Sequence, residues 1–179
     1  YDGVWIDVFT MQPEIEGTSM SHIGVFAHEY GHVLGLPDLY DTDDSSEGIG
    51  NWGLMAGGGW GGDGGSPWKP AHLCAWSKIK LGWLVPTDID SFTTNLEIVP
   101  VENNPVVYRI KSSTDSSEWF LLSNRRKTGF DERLPESGLL IWHIDTERTS
   151  RWPGSNSVND DEPHYGVGLE QADGRFDLE

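Results

Sequence analysis

The stretch His28-Glu-Tyr-Gly-His-Val-Leu-Gly-Leu-Pro-Asp38 decides how this chain can fold and what chemistry it can carry. In a helix, His28 and His32 lie one turn apart on the same face, so both imidazoles can bind one metal ion. Gly35 is predicted to end the helix, because glycine tolerates the left-handed backbone of a sharp turn. The turn allows Asp38 to offer a carboxylate oxygen as third ligand. Three protein ligands leave one tetrahedral position for water, which is typical of catalytic zinc sites.

Glu29 follows the first histidine directly, which places its carboxylate beside the metal. There it can take a proton from a metal-bound water. The alternative is a chance HExxH in a helix whose two histidines are solvated. The presence of Gly35 and Asp38 in register favours the metal site, since each has a separate geometric task.

The residues around the motif support a helix with two distinct faces. Thr18, Ser19 and Ser21 are candidate N-caps. An apolar stripe recurs at helical spacing on the side opposite the histidines, and we expect it to pack on a core. The stripe consists of Ile23, Phe26, Ala27, Tyr30, Val33 and Leu34.

The motif HExxHxxGxxD resembles the extended zinc motif of metzincin-like peptidases. The longer run HEYGHVLGLPDLYD resembles the immune inhibitor A family of secreted bacterial zinc peptidases (peptidase family M6). The resemblance implies that Met55 lies in a Met-turn, an apolar floor beneath the histidines. Taken alone, Met55 would be an ordinary core methionine. The helix of such a peptidase follows most of its sheet, so the resemblance also implies a fragment that lacks a propeptide or upstream region.

The expected fold class is α+β, with a metzincin-like zinc peptidase catalytic region and a β-rich C-terminal part. The catalytic region, residues 1–84, would contain a strand at 1–10, the active-site helix, the Met-turn and a following helix from Pro67 or Pro70 to Lys80, ended by Gly82. The C-terminal part, residues 85–179, alternates β-rich runs with turn residues. Those runs cover residues 95–101, 105–111, 118–124 and 138–145, and a polar surface loop is expected at 146–163.

An acidic loop follows the third ligand. Asp41, Asp43 and Asp44 crowd this short segment, and a cation would relieve their repulsion, so calcium is one interpretation. A solvated acidic loop is the other interpretation. The spacing is not that of an EF-hand, so the sequence leaves both open.

Charge and composition limit the partners. The chain has 29 acidic and 12 basic residues and a net charge of -17, which argues against nucleic acid or an anionic membrane. It contains one cysteine, Cys74, and no apolar run long enough to span a bilayer. One cysteine gives no positive support for secretion and does not exclude it. Secretion is therefore an expectation drawn from the resemblance.

These observations predict a secreted zinc-dependent endopeptidase that acts on protein or peptide substrates. Zinc would be held by His28, His32 and Asp38, with Glu29 as general base. Tyr40 and His164 are candidate donors to the oxyanion. Two alternatives stay open: an inactive, metal-stabilised extracellular binding module for protein or glycan, and a zinc hydrolase of small esters or amides.

Overall fold

The structure, a computed structural model, describes residue 3, residues 8–92, residues 94–175 and residue 178. Most of the strand expected at 1–10 lies outside these residues, and residues 8–10 have no regular structure. Helical elements come mainly before residue 81 and strands mainly after it, so the chain combines helices and sheet as predicted. The helices are α1 (Ile23–Val33), α2 (Ala75–Lys80) and α3 (Thr146–Thr149), with short 3-10 turns at Gly50–Trp52, Gly57–Trp60 and Gly129–Arg133. The strands are β1 (Ile15–Glu16), β2 (Ser19–Met20), β3 (Thr87–Asp88), β4 (Tyr108–Lys111), β5 (Glu118–Arg125), β6 (Gly138–Asp145) and β7 (Val167–Leu169).

A five-stranded sheet in the order β3-β4-β5-β6-β7 forms the C-terminal half. Only the β3–β4 pair is parallel among the described strands of this sheet; the other pairs are antiparallel. The central strands β5 and β6 match the predicted runs to within one residue. The strand predicted at 95–101 is wrong, because a single bridge at Pro100 replaces it. Proline cannot donate to a ladder, and Asn95 takes a left-handed conformation with φ 59°.

The helix after the glycine-rich segment is shorter than predicted. It begins at Ala75 instead of Pro67 or Pro70. The preceding backbone groups bond to other segments: Ala71 N–H donates to the Gly58 carbonyl at 2.8 Å, and His72 N–H donates to the Asp131 carboxylate at 2.9 Å. Because these groups have tertiary partners, they do not form a helical ladder.

The expected packing face of α1 is mostly exposed, and no residue of the apolar stripe is fully buried. Ile23, Tyr30 and Leu34 are exposed, and the residues that the helix buries are Gly24 and Gly31. The helix therefore packs closely on neighbouring segments at Gly24 and Gly31, where the absence of a side chain lets its backbone approach them. Its N-cap is His22, which makes no side-chain capping bond, so the three N-cap candidates were wrong.

Gly24→Ala is expected to destabilise the fold, although alanine is the better helix former. A Cβ at this position would overlap the Gly59 carbonyl oxygen and lie 2.7 Å from that of Pro67. Both are backbone atoms, so the helix must move. We expect a loss of about 1–3 kcal/mol in the free energy of unfolding, measured by urea denaturation. Gly65→Ala is the control, since nothing lies within 4 Å of the position that its Cβ would take, and stability should not change.

The buried core draws on both halves of the chain. Leu39 and Met55 belong to the same buried cluster as Trp142 and Val158 from the C-terminal half. The boundary predicted at residues 84 and 85 stays a prediction. Through this shared core, the sheet supports the segment that carries the motif.

A buried ion pair holds the Gly50–Trp52 turn to the sheet. The Arg125 guanidinium, on β5, contacts the Asp131 carboxylate with Nε to Oδ2 at 2.8 Å and Nη2 to Oδ1 at 2.5 Å. Its Nη1 donates to the Trp52 carbonyl at 3.3 Å. Both charged side chains are almost fully buried. This pair therefore fixes the turn that leads into Met55.

Candidate metal centre

The helix α1 and the turn after it bring three metal-ligating atoms together. His28 Nε2 lies 2.9 Å and His32 Nε2 lies 3.3 Å from Asp38 Oδ1. The three ligand atoms all lie within 4.8 Å of one another. The four-residue spacing of the histidines supplies the first two atoms, and the turn supplies the third.

In both histidines, the ring nitrogen that does not face Asp38, Nδ1, contacts a backbone carbonyl oxygen. His28 Nδ1 lies 2.8 Å from the Leu54 carbonyl oxygen, and His32 Nδ1 lies 2.8 Å from that of Leu36. A carbonyl oxygen only accepts hydrogen bonds, so each Nδ1 must carry the proton. This arrangement orients both Nε2 atoms toward Asp38 and raises their basicity as ligands.

The turn that delivers Asp38 has the predicted left-handed glycine. Gly35 has φ 99°, and its N–H bonds to the His32 carbonyl at 2.9 Å. Asp38 is buried, and burial by itself would raise the pKa of its carboxyl. Hydrogen bonds with His28, His32 and Asn156 outweigh burial and hold that pKa well below its usual range. Asp38 is therefore a carboxylate, which is the form that binds metal.

The donor set fits zinc. Two imidazole nitrogens and one carboxylate oxygen, converging with fixed tautomers, match the two-histidine, one-carboxylate sets of catalytic zinc sites. His28, His32 and Asp38 are the residues predicted from the sequence. Their role as zinc ligands stays a prediction, and the geometry is compatible with it.

A cleft of about 480 Å³ opens beside His28, and Glu29 lines it. Tyr40 lines the same cleft and stacks on the His28 ring, with ring centroids 6.3 Å apart. Burial, followed by the charge of Asp38, raises the pKa of Tyr40 to about 12, so its hydroxyl remains a donor. The other candidate oxyanion donor, His164, bonds to Asp145 at 2.9 Å and is not among the residues that line this cleft.

Met55 is buried directly beneath α1. A Cβ at Gly31 would overlap the Met55 sulfur, which shows how closely the methionine approaches the helix between the two histidines. The Met55 carbonyl accepts a hydrogen bond from Leu39 N–H at 2.7 Å. This position is compatible with an apolar floor for the site, while its assignment as a Met-turn stays a prediction.

The acidic loop is organised differently from the sequence expectation. The structure groups Asp41 and Asp43 with Glu162 from the C-terminal half, whereas Asp44 is not part of the group. Asp41 is buried and accepts hydrogen bonds from the N–H groups of Asp43, Ser45 and Ser46. Its carboxylate thus already organises the loop, and calcium binding here stays a prediction.

Two residues of the site were missed by sequence reasoning. Trp152 and Asn156 lie in the segment that was expected to be only a surface loop, residues 146–163. Asn156 hydrogen-bonds Asp38, and Trp152 bonds the Gly35 carbonyl. Their contacts with the motif could not be predicted from sequence spacing, because Asp38 and Asn156 are 118 residues apart.

Comparisons with known proteins point to one family. Residues 2–84 match the family model described as "Immune inhibitor A peptidase M6, catalytic domain". Immune inhibitor A of Bacillus thuringiensis subsp. alesti is 52% identical over 56 residues, which are 30% of this chain and 7% of that protein. Pre-pro-metalloprotease PrtV of Vibrio cholerae serotype O1 is 36% identical over 114 residues, which are 61% of this chain and 11% of that protein. No solved structure matches the chain significantly.

The matches confirm the resemblance seen in the motif, which is a resemblance to a family of metallopeptidases. This chain spans about a tenth or less of the length of these relatives. No helix within the described residues is long and apolar enough to cross a membrane.

Proposed function

We propose that this chain, whose residues 2–84 match the model of the immune inhibitor A (M6) peptidase catalytic domain, carries the active site of a zinc-dependent endopeptidase. The observation that carries the proposal is the convergence of His28 Nε2, His32 Nε2 and Asp38 Oδ1 within 4.8 Å. The residue next to the first ligand, Glu29, lines a cleft that opens beside it. A metal site that only stabilised the fold would not need a carboxylate placed on a cleft.

Each residue of the site has a separate role in the proposed reaction. Zinc bound by the three ligands would supply Lewis-acid polarisation of the scissile carbonyl. The Glu29 carboxylate accepts a proton from the attacking water and returns it to the leaving amine nitrogen. The Tyr40 side chain lines the cleft, and its hydroxyl would donate a hydrogen bond to the developing oxyanion.

Substrate, location and further partners are part of the proposal. Peptide substrates follow from the family, and a secreted enzyme that is made with a propeptide is in keeping with the name pre-pro-metalloprotease of the Vibrio relative. Neither nucleic acid nor membrane is expected as a partner of a chain with a net charge of -17. Calcium at Asp41, Asp43 and Glu162 would be a second cation, distinct from the catalytic one.

The proposal is tested by measuring metal content and cleavage of an unfolded protein substrate on the full-length protein. We expect about one zinc ion per protein chain. Cleavage should be lost on chelation and should return when zinc is added. Cleavage that persists after complete removal of metal would overturn the proposal. Bound zinc without cleavage in the mature protein would favour the metal-stabilised binding module.

A further inference from the structure

Asn156 forms a reciprocal pair of hydrogen bonds with Asp38. The Asn156 Nδ2 donates to Asp38 Oδ2 at 2.6 Å, and the Asp38 backbone N–H donates to Asn156 Oδ1 at 3.0 Å. One amide therefore holds both the carboxylate and the backbone of the third ligand. The carboxylate oxygen that it occupies is the one that does not face the two histidines.

The loop that carries Asn156 is anchored on both sides of this contact. Before it, Trp152 Nε1 donates to the Gly35 carbonyl at 2.9 Å, and the Trp152 ring lies 6.0 Å from the His32 ring. After it, Asn159 is fully buried and donates to the Leu39 carbonyl at 2.9 Å. Asn156 thus reaches Asp38 from a loop whose position is fixed independently.

We infer that Asn156 is the positioning residue for the third metal ligand, an inference that rests on the proposed zinc function. A free aspartate side chain rotates and can present either oxygen. With Oδ2 bound to the Asn156 amide, Oδ1 is the oxygen directed at the Nε2 atoms of His28 and His32. Partners of this kind commonly change metal affinity by about 10–100-fold when removed, because the ligand must be ordered at the moment of binding.

The test compares the zinc affinity of the full-length parent protein with that of the Asn156→Ala variant. Both affinities are measured by competition with a chromogenic chelator. We expect the dissociation constant of Asn156→Ala to rise about 10–100-fold. The absorption bands of the cobalt-substituted protein should also change, since they report the ligand geometry at the metal. A structural role for Asn156 away from the metal would leave those bands in place.

Ser155→Ala is the matched control, because Ser155 is exposed in the same loop and its hydroxyl bonds only to Ser157. It should leave the cobalt bands and the zinc affinity of the protein unchanged. Equal zinc affinity in parent and Asn156→Ala, or an equal loss in Ser155→Ala, would overturn the inference. Absence of zinc binding in the parent protein is a different result, which would overturn the proposed function and the inference with it.

Discussion

Replacing Glu29 with glutamine is expected to lower the rate of peptide cleavage by about 10²–10⁴-fold while zinc stays bound. Glutamine has nearly the same shape as glutamate, so the helix and the cleft should be preserved, but the amide cannot accept the proton of the attacking water. The loss corresponds to about 3–5 kcal/mol of transition-state stabilisation. His28, His32 and Asp38 are unchanged in this variant, and zinc content should therefore equal that of the parent.

The measurement combines kcat/KM on an unfolded protein substrate with zinc content of the same preparation. Glu136→Gln is the control for the charge change, because Glu136 is exposed and lies outside the cleft. It should cleave as the parent does. Full activity in Glu29→Gln would remove Glu29 from the mechanism, and loss of zinc would mean that the carboxylate supports the metal instead.

Replacing Arg125 with methionine is expected to lower the free energy of unfolding by about 3–5 kcal/mol. The substitution leaves the Asp131 carboxylate buried, with its charge no longer compensated by a guanidinium. It also removes the hydrogen bond to the Trp52 carbonyl, which ties the turn before Met55 to the sheet. Urea denaturation of parent and variant measures the difference.

The exposed pair between Asp88 and Arg109 is the matched control. Both side chains are about one third exposed, so Asp88→Asn should cost only about 0–1 kcal/mol. The double variant Arg125→Met, Asp131→Asn should be less destabilised than Arg125→Met alone, because only one of the two buried carboxylates beside Arg125, that of Glu102, then keeps its charge. If Arg125→Met unfolded no more readily than Asp88→Asn, the buried pair would have no special role in stability.

The contribution of the buried pair should depend on pH. Burial by itself would raise the pKa of the Asp131 carboxyl, but the neighbouring Arg125 outweighs burial and lowers it. Because the folded pKa lies below the unfolded value of about 3.9, this stabilisation is complete above about pH 4 to 5 and is lost as pH falls through the folded pKa. The stability difference between parent and Asp131→Asn should accordingly shrink in acid.

The local part of the site could be predicted from the sequence, because its geometry is set by short-range rules. Helical spacing is enough to place His28 and His32 on one face, and a left-handed glycine is enough to place the turn at Gly35. The long central strands β5 and β6 could be predicted for a similar reason, since their apolar runs are nearly continuous. Both features depend on residues that are close in the sequence.

The remaining features of the fold and of the site depend on contacts between distant segments. The spacing of hydrophobic residues along the sequence gives no information about such contacts. The apolar stripe of α1 had the right spacing for a core face, yet the helix packs through Gly24 and Gly31, where the backbone itself makes the contact. The residues before α2 had helix-start prolines but bond to Gly58 and Asp131 instead. Asn156 looked like one polar residue among many in a turn-rich loop.

The distance along the chain between Asp38 and its amide partner has a consequence for the order of events during synthesis. A ribosome delivers the whole HExxH helix long before it delivers residue 156, which is 118 positions beyond the aspartate. Closing a loop of that length costs about 4 kcal/mol of chain entropy, which contacts between the two halves of the chain must offset. We therefore expect the ligand set to acquire its final geometry late in folding, after the strands that carry the loop have paired.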